Sequence, residues 1–438
     1  MEIWVNNIII LVIALFFLNN CSFNENSRIW KDKDKNENFS NQENVKKLFE
    51  EEEIISSEFN SELSINITKI NRNNKFAYNR NDYGSQNYNG LLDIEKTFTF
   101  SKLNNINQLD YMPAFLNDGL IFFDNKGTII KYNDKKKVIW KNNFYSKSEK
   151  KLNPKLYFAI SNETLLVADN IAKYFSININ TGKLNWSKNS IYPFNSEIKI
   201  YKKYFFIVDY KNTLRCYNII DGSECWNLQT EDSFTISDSK FSLIVLNDLV
   251  IFNNSIGDIT AVDIKTGIIN WQLPTQSSNI INKTYKFKNS KLVSDGKSIF
   301  FSNNKNEFYS IDAITGTINW MNKINSNLTP ILNENLIFTI SNNGYLFVIQ
   351  KNKGNIIRIS DLYKNIKMKK GENINPVGFA IGKNNLYLTS NNGKMIVVDL
   401  EFGKIIKEIK ISGKLVSKPI IYNEKLFLIK NGSIIRYN

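Results

Sequence analysis

The sequence predicts an all-β fold, a β-propeller of eight four-stranded antiparallel blades, with seven blades as the alternative. Three observations predict it. An Asp/Asn–Gly–Trp pattern recurs along the chain, short apolar runs alternate with turn clusters, and the composition supports a large core. Of 438 residues, 42% are hydrophobic and 13% aromatic. That content excludes disorder over the whole length.

The pattern is clearest in SIDAITGTINW, Ser310 to Trp320, where Asp312, Gly316 and Trp320 stand four residues apart. AVDIKTGIINW repeats it at Asp263, Gly267 and Trp271, and SININTGKLNW at Asn178, Gly182 and Trp186. Gly222 with Trp226, Gly354, and Asp399 with Gly403 continue the series, and Lys136 takes the glycine place ahead of Trp140. The last two tryptophan places hold Arg358 and Lys407. The glycine steps run from roughly 38 to 49 residues, the range of propeller blades. Each anchor has a physical role. Glycine closes a short hairpin in the left-handed region without a Cβ clash. Asp or Asn four residues earlier accepts from the turn's free amides. Tryptophan brings a large apolar surface to the next blade while its indole N–H finds an acceptor.

The elements follow in chain order. Ile8 to Leu18 is a continuous apolar run of about eleven residues, the length of a signal-peptide core and short for a membrane span. It ends in Leu18-Asn19-Asn20-Cys21, which resembles the lipobox of bacterial lipoproteins. The resemblance implies a signal peptide over residues 1–20 and acylation of Cys21, and Ser22 after the cysteine is compatible with the outer membrane. Residues 21–88 are rich in Asn, Lys, Glu and Ser and read as a polar, disordered tether. Within it SNQE, Ser40 to Glu43, matches a capping box, and Val45, Leu48 and Phe49 follow at helical spacing, so a short amphipathic helix is expected over 41–53.

From residue 89 to 438 the propeller begins. Each unit has an apolar strand such as NLIFTIS, an Asn/Gly turn, a second strand such as YLFVIQ, the glycine turn, and a strand ending near the tryptophan. Seven units carry the anchor place. Val416 to Asn438 forms an eighth that stops before its anchor and last strand, and Leu91 to Leu103 is an orphan strand. Joining the two closes an eight-membered ring.

Several function classes are excluded. The chain has no histidine, which removes histidine-based triads and the commonest metal ligand. No P-loop, Rossmann fingerprint, G-x-S-x-G or H-E-x-x-H occurs. A two-carboxylate glycosidase cannot be read from spacing. The net charge is +14, yet lysines are spread throughout, and KMKK at Lys367 to Lys370 is the densest spot. That favours a solvated surface over a nucleic-acid stripe. Cys216 and Cys225 flank the Asp221-Gly222 turn as near-opposite neighbours. A disulfide and two free thiols are both open; a disulfide closing so short a loop adds about 2–3 kcal/mol in the chain-entropy model.

The D-x-x-T-G-x-x-x-W repeat, at Asp263 to Trp271 and Asp312 to Trp320, resembles the quinoprotein (PQQ-type) β-propeller repeat over about Leu91 to Asn438. Two classes share it: the PQQ-dependent dehydrogenases, and the non-enzymatic propeller lipoproteins of the outer-membrane β-barrel assembly machinery, the BamB family. Lipobox, tether and propeller together resemble the second. That resemblance implies a scaffold at the periplasmic face of the outer membrane, without catalytic residues, cofactor or metal. It implies as partners a periplasmic domain of a barrel-assembly subunit and unfolded outer-membrane proteins. The runner-up is a PQQ-dependent dehydrogenase, which needs calcium ligands of carboxylate and amide type. The third reading is a generic protein- or carbohydrate-binding propeller. The scaffold reading expects an apolar or charged patch on one rim.

Overall fold

A computed structural model describes residues 56–67, 87–100, 108–231, 239–275, 288–366 and 373–438. The signal segment, Cys21, the helix expected over 41–53 and the Lys367 to Lys370 run lie outside the described residues. The chain from Ile54 to Asn438 forms one unit.

Eight four-stranded antiparallel sheets make up this unit. Blades one to seven span residues 114–142, 156–189, 199–229, 243–273, 293–323, 331–361 and 376–410. Blade eight combines Ile420–Tyr422, Lys425–Lys430 and Ser433–Tyr437 with Ile94–Thr99 from the start of the unit. Lys96 pairs with Arg436 and Phe98 with Ile434 in that last ladder. The expected joining of the two chain ends therefore closes an eight-bladed ring. Closure hides edges that an open sheet would leave exposed.

The burial pattern explains the strand order. Second strands such as Tyr204–Val208 and third strands such as Tyr345–Gln350 are buried runs, covered on both faces by neighbouring blades. Fourth strands such as Leu184–Asn189 and Ile318–Lys323 alternate between exposed and half-buried residues, because only one face meets the next blade. The short first strands of blades one to four touch one another in series, which sets them around the axis. A parallel bridge from Ser196 to Phe241 links the inner edges of blades three and four.

Blades one to seven share a bulge that the pattern of residues does not announce. In blade two, Ser176 pairs with Trp186 and Ile177 with Leu184, leaving Asn185 unpaired. The same slip occurs at Ile139, Cys225, Asn270, Asn319, Ile357 and Ile406. A bulge increases local twist and re-aims the residue beside it. Here that residue is the tryptophan or its replacement.

Of the segment read as a tether over 21–88, only residues 56–67 and 87–88 are described. Residues 56–67 lie along the fourth strand of blade six. Phe59 and Ile359 exchange two backbone hydrogen bonds, at 3.1 and 2.8 Å. Ile65 is buried in the core of blades six and seven, and its N–H reaches the Glu401 carbonyl. Glu58 pairs with Lys364 and Glu62 with Lys404. Ile65, with Ile67 packed beside it, and these backbone bonds hold the strap, and its polar composition concealed them. Tyr88, also placed in the tether, is buried against Tyr387.

Candidate functional site

The anchors hold the seams between blades. Asp312 accepts from the amides of Ile314 and Thr315 and from the Thr315 hydroxyl, at 2.8 to 3.0 Å. Asp263 does the same with Lys265 and Thr266, and Asn178 with Asn180 and Thr181. In Asp399's turn only the Phe402 amide donates to the carboxylate. Each indole N–H donates to the carbonyl three residues before the next blade's glycine: Trp140 to Ile179, Trp186 to Ile219, Trp226 to Ile264, Trp271 to Ala313 and Trp320 to Lys351. The ring lies flat on that glycine. A Cβ on Gly316 would stand 2.6 Å from the Trp271 indole. Gly182, Gly222, Gly267 and Gly354 meet the preceding blade's tryptophan in the same way, and Gly403 meets Arg358. All of these residues work as structural joints.

Cys216 is buried and Cys225 exposed, and both are free thiols in this structure. Cys216 pairs with Trp226, and Cys225 is the bulged residue beside it, so the two are diagonal neighbours rather than a ladder pair. Burial, then the hydrogen bond and charge of Cys225, push the Cys216 thiol well up.

The face carrying the glycine turns has an apolar rim. Ile220, Ile268 and Ile314 are 78, 67 and 62% exposed, in the turns of blades three, four and five. Ile269 and Ile318, on the adjoining fourth strands, are also exposed. The turns of consecutive blades lie on one side of the ring, so three neighbouring blades present isoleucine to solvent in series. Scattered exposed apolar residues are ordinary, but these three recur at the glycine turn of three consecutive blades. The recurring turn sequences IIDG, KTGI and AITG already carried this signal.

Around the axis stands a second cluster that motif reading missed. Glu197 of blade three forms an ion pair with Lys291 of blade five. Blade four lies between them in the ring, so the pair ties together two blades that are not neighbours. Lys240, ahead of blade four, donates at 2.8 Å to the Asp110 carbonyl and sits 3.1 Å from the Tyr111 ring centre. Burial pushes Lys240 and Lys418 down to about 7, with Asp110 opposing in the first and Lys291 assisting in the second. Burial also works against the charge on Glu197, yet Lys291, Lys199 and Lys418 override it and hold the carboxyl below its usual range. A repeated serine supplied the overlooked signal. Ser196, Ser290 and Ser417 each accept from the amide twelve residues on, at 2.8 to 2.9 Å, pinning the backbone beside Glu197, Lys291 and Lys418.

These axial residues do not fit a calcium-bound quinone. Calcium takes six to eight oxygen ligands from carboxylates, amide and backbone carbonyls and water, and ammonium groups supply none. Among the described residues no three acidic or cysteine side chains gather as a metal-holding group, and the axis carries ammonium groups instead.

Fold and seam repeat together define a PQQ-like eight-bladed β-propeller. The family model described as outer membrane protein assembly factor BamB matches residues 114–360, and the chain belongs to that family. The structure is similar to BamB from Moraxella catarrhalis, with a TM-score of 0.64 and 14% identity over 80% of this chain and 100% of that one. It is also similar to a europium-containing methanol dehydrogenase, with a TM-score of 0.62 and 10% identity over 79% of this chain and 87% of that one. A third similar structure is the quinohemoprotein alcohol dehydrogenase of Comamonas testosteroni, with a TM-score of 0.61 and 9% identity over 81% and 78%. No curated protein sequence matches. Among the described residues no helix is long and apolar enough to cross a membrane.

Proposed function

We propose that this chain is a non-enzymatic scaffold of outer-membrane protein assembly, held at the periplasmic face of the outer membrane through a lipid on Cys21. The observation that carries the reading is the isoleucine rim of Ile220, Ile268 and Ile314 on a propeller of the BamB family. An exposed apolar row with a polar surround suits docking of a folded partner domain. The partner is a periplasmic domain of a barrel-assembly subunit. Extended clients would add to the fourth-strand edges, whose backbone groups outside the strap face solvent. The strap's single bridge to Ile359 on the fourth strand of blade six supports this mode of addition.

The test replaces Ile220, Ile268 and Ile314 together by Asp in the lipoprotein and asks whether it still co-purifies with a barrel-assembly subunit from detergent-extracted membranes. Loss of the partner with an unchanged melting temperature supports the reading; retention overturns the rim as its docking surface. The dehydrogenase neighbours keep a second reading in view. Calcium-dependent, saturable binding of the quinone by the purified protein would favour it over the scaffold.

A further inference from the structure

A cleft of about 310 Å³ opens where the fourth strand of blade two, Leu184–Asn189, ends beside the outer pair of strands of blade three. Asn189 and Tyr192 line it from the blade-two side. In blade three Thr213 pairs with Gln229, Arg215 with Asn227 and Tyr217 with Glu224, and all six residues line the same cleft. The third-strand members stand at alternate places, so the three pairs share one face of the blade.

Arg215 makes this seam different. It pairs with Ile207, two residues before the turn that follows the second strand. In blades one, two, four, five, six and seven the same register position holds Ile130, Phe175, Thr260, Tyr309, Phe347 and Ile396. A buried guanidinium in place of these side chains carries a desolvation cost, which two carboxylates offset. Nε donates to Asp209 at 2.9 Å and Nη1 to Glu224 at 2.8 Å. The other oxygen of Glu224 accepts from Asn227 at 2.6 Å, which fixes the carboxylate at the wall. Among the described residues, Arg215 Nη2, the side-chain amides of Asn189 and Gln229 and the Tyr192 hydroxyl have no hydrogen-bond partner. These groups are left for water or a ligand.

Charge and shape narrow the ligand. Arg215 and Glu224 are the charged residues lining the cleft, and they cancel, so it favours neither an anion nor a cation. Tyr174, Tyr192 and Tyr217 add aromatic surface, and Tyr192 is 40% exposed, which leaves its ring open to a stacked partner. An aromatic face meets C–H groups, while amides and a guanidinium–carboxylate pair meet hydroxyl groups as donors and acceptors at once. A saccharide has both surfaces, C–H groups on the ring face and hydroxyls on its edge. The volume lies at the small end of the range of ligand pockets, about 300–1,000 Å³, which limits the ligand to one or two rings. We propose that this cleft binds a neutral mono- or disaccharide, with a ring face against Tyr192 and hydroxyl groups on Arg215, Glu224, Asn189 and Gln229. The site goes beyond the scaffold reading and does not rest on it.

The experiment is calorimetric titration of the purified full-length protein with maltose, cellobiose, lactose and diacetylchitobiose, and with adenosine as a flat neutral ligand of another class. One saturable site with a dissociation constant of about 1 mM or tighter is expected for at least one sugar. Its affinity should be the same at low and high salt, since the lining carries no net charge. Tyr192→Ala removes the stacking face and should weaken binding about tenfold. Gln229→Ala removes one neutral hydrogen bond and should weaken it by a factor of about three to ten. Neither side chain makes a hydrogen bond within the protein, so both variants should fold with an unchanged melting temperature. A loss of affinity in at least one of them supports the cleft as the site. Absence of saturable sugar binding by a protein with an intact melting transition, adenosine binding tighter than every sugar, or unchanged affinity in both variants overturns the proposal. None of these results bears on co-purification through the isoleucine rim, so the two readings fail separately.

Discussion

The guanidinium of Arg358 donates to the carbonyl of Leu400 at 2.9 Å. Leu400 stands three residues before Gly403, the relation that each indole N–H keeps with the next blade. Arg358 thus performs the tryptophan's task at the joint between blades six and seven, although nothing in its chemistry resembles indole. Its second nitrogen reaches the carbonyl of Leu63, which an indole could not do. The replacement ties the N-terminal strap to the seam. Burial lowers the guanidinium to about 10, against the pull of Asp399, so it stays charged at neutral pH.

Two variants separate these roles. Arg358→Ala leaves the carbonyls of Leu400 and Leu63 without their donor and opens a cavity at a fully buried position. The expected loss is about 2–4 kcal/mol of unfolding free energy. Arg358→Trp restores a flat ring and one donor over Gly403, and should cost less. Both should speed amide hydrogen exchange at Phe59 and Ile65, since the strap loses its tie to the joint. Unchanged exchange in both variants would show that the strap is held by its own ladder and ion pairs.

The seam geometry makes a second prediction at Gly316. Its φ of +73° is strained for an L residue, and an added Cβ would stand 2.6 Å from the Trp271 ring. Gly296 has a φ of +102° but open space around it. Gly316→Ala combines backbone strain with a steric clash, so it should cost about 2–4 kcal/mol. Gly296→Ala should cost roughly 1–2 kcal/mol from backbone strain alone. Denaturant midpoints of the two variants give the comparison. Equal losses would mean that the indole moves aside freely, and that the flat packing adds little.

The repeat was legible because three residues do separate physical jobs at one joint, and each job selects a residue type. Asp312, Gly316 and Trp320 announce turn, backbone conformation and packing surface together. Arg358 was not legible as a joint, because a cation over a glycine has no pattern outside the fold. The strap at Ile65 and Ile67 was concealed by its polar neighbours, since two apolar side chains in such a segment produce no periodicity. Glu197 and Lys291 lie far apart in the chain. Only ring closure brings them together, and a single sequence carries no record of that distance.

Asp169 offers a pH test. Tyr145 donates to its carboxylate at 2.6 Å, and the amides of Ile171 and Lys173 donate at 2.9 and 2.8 Å. Burial outweighs these bonds and raises the group to about 6. Its unfolded value is about 3.9, so between pH 4 and 6 the folded state holds the extra proton. Stability from this group is fully present below about pH 4 and is lost as pH rises through about 6. The two-unit difference corresponds to about 2–3 kcal/mol. Asp169→Asn keeps an acceptor for both amides and removes the charge. Relative to wild type it should gain stability from pH 4 to pH 8. A difference that does not vary with pH would mean that Asp169 stays ionised throughout.

The bulge turns the cysteine question into a measurable one. In blade two the bulged Asn185 donates across the ladder to Ser176 at 3.0 Å, and in blade five Asn319 donates to Ser310 at 3.3 Å. In blade three the same two places hold Cys225 and Cys216. The bulge therefore directs the side chain of Cys225 toward Cys216, despite the offset in register. Mild oxidation with diamide should join them. The two thiols lose two electrons and two protons, the diazene takes them up as a hydrazine, and one S–S bond forms. The high thiol affinity for protons at Cys216 makes exposed Cys225 the first to react, as its thiolate adds to the reagent before Cys216 displaces it. Peptide mapping without reductant should find one peptide pair joined through Cys216 and Cys225, two mass units lighter than the reduced pair by the loss of two hydrogens. The oxidised protein should gain about 2–3 kcal/mol, as a loop of this length gives in the chain-entropy model. Two alkylatable thiols after oxidation of the folded protein would show that the strand twist keeps the sulfurs out of bonding range, and that blade three uses the pair as packing alone.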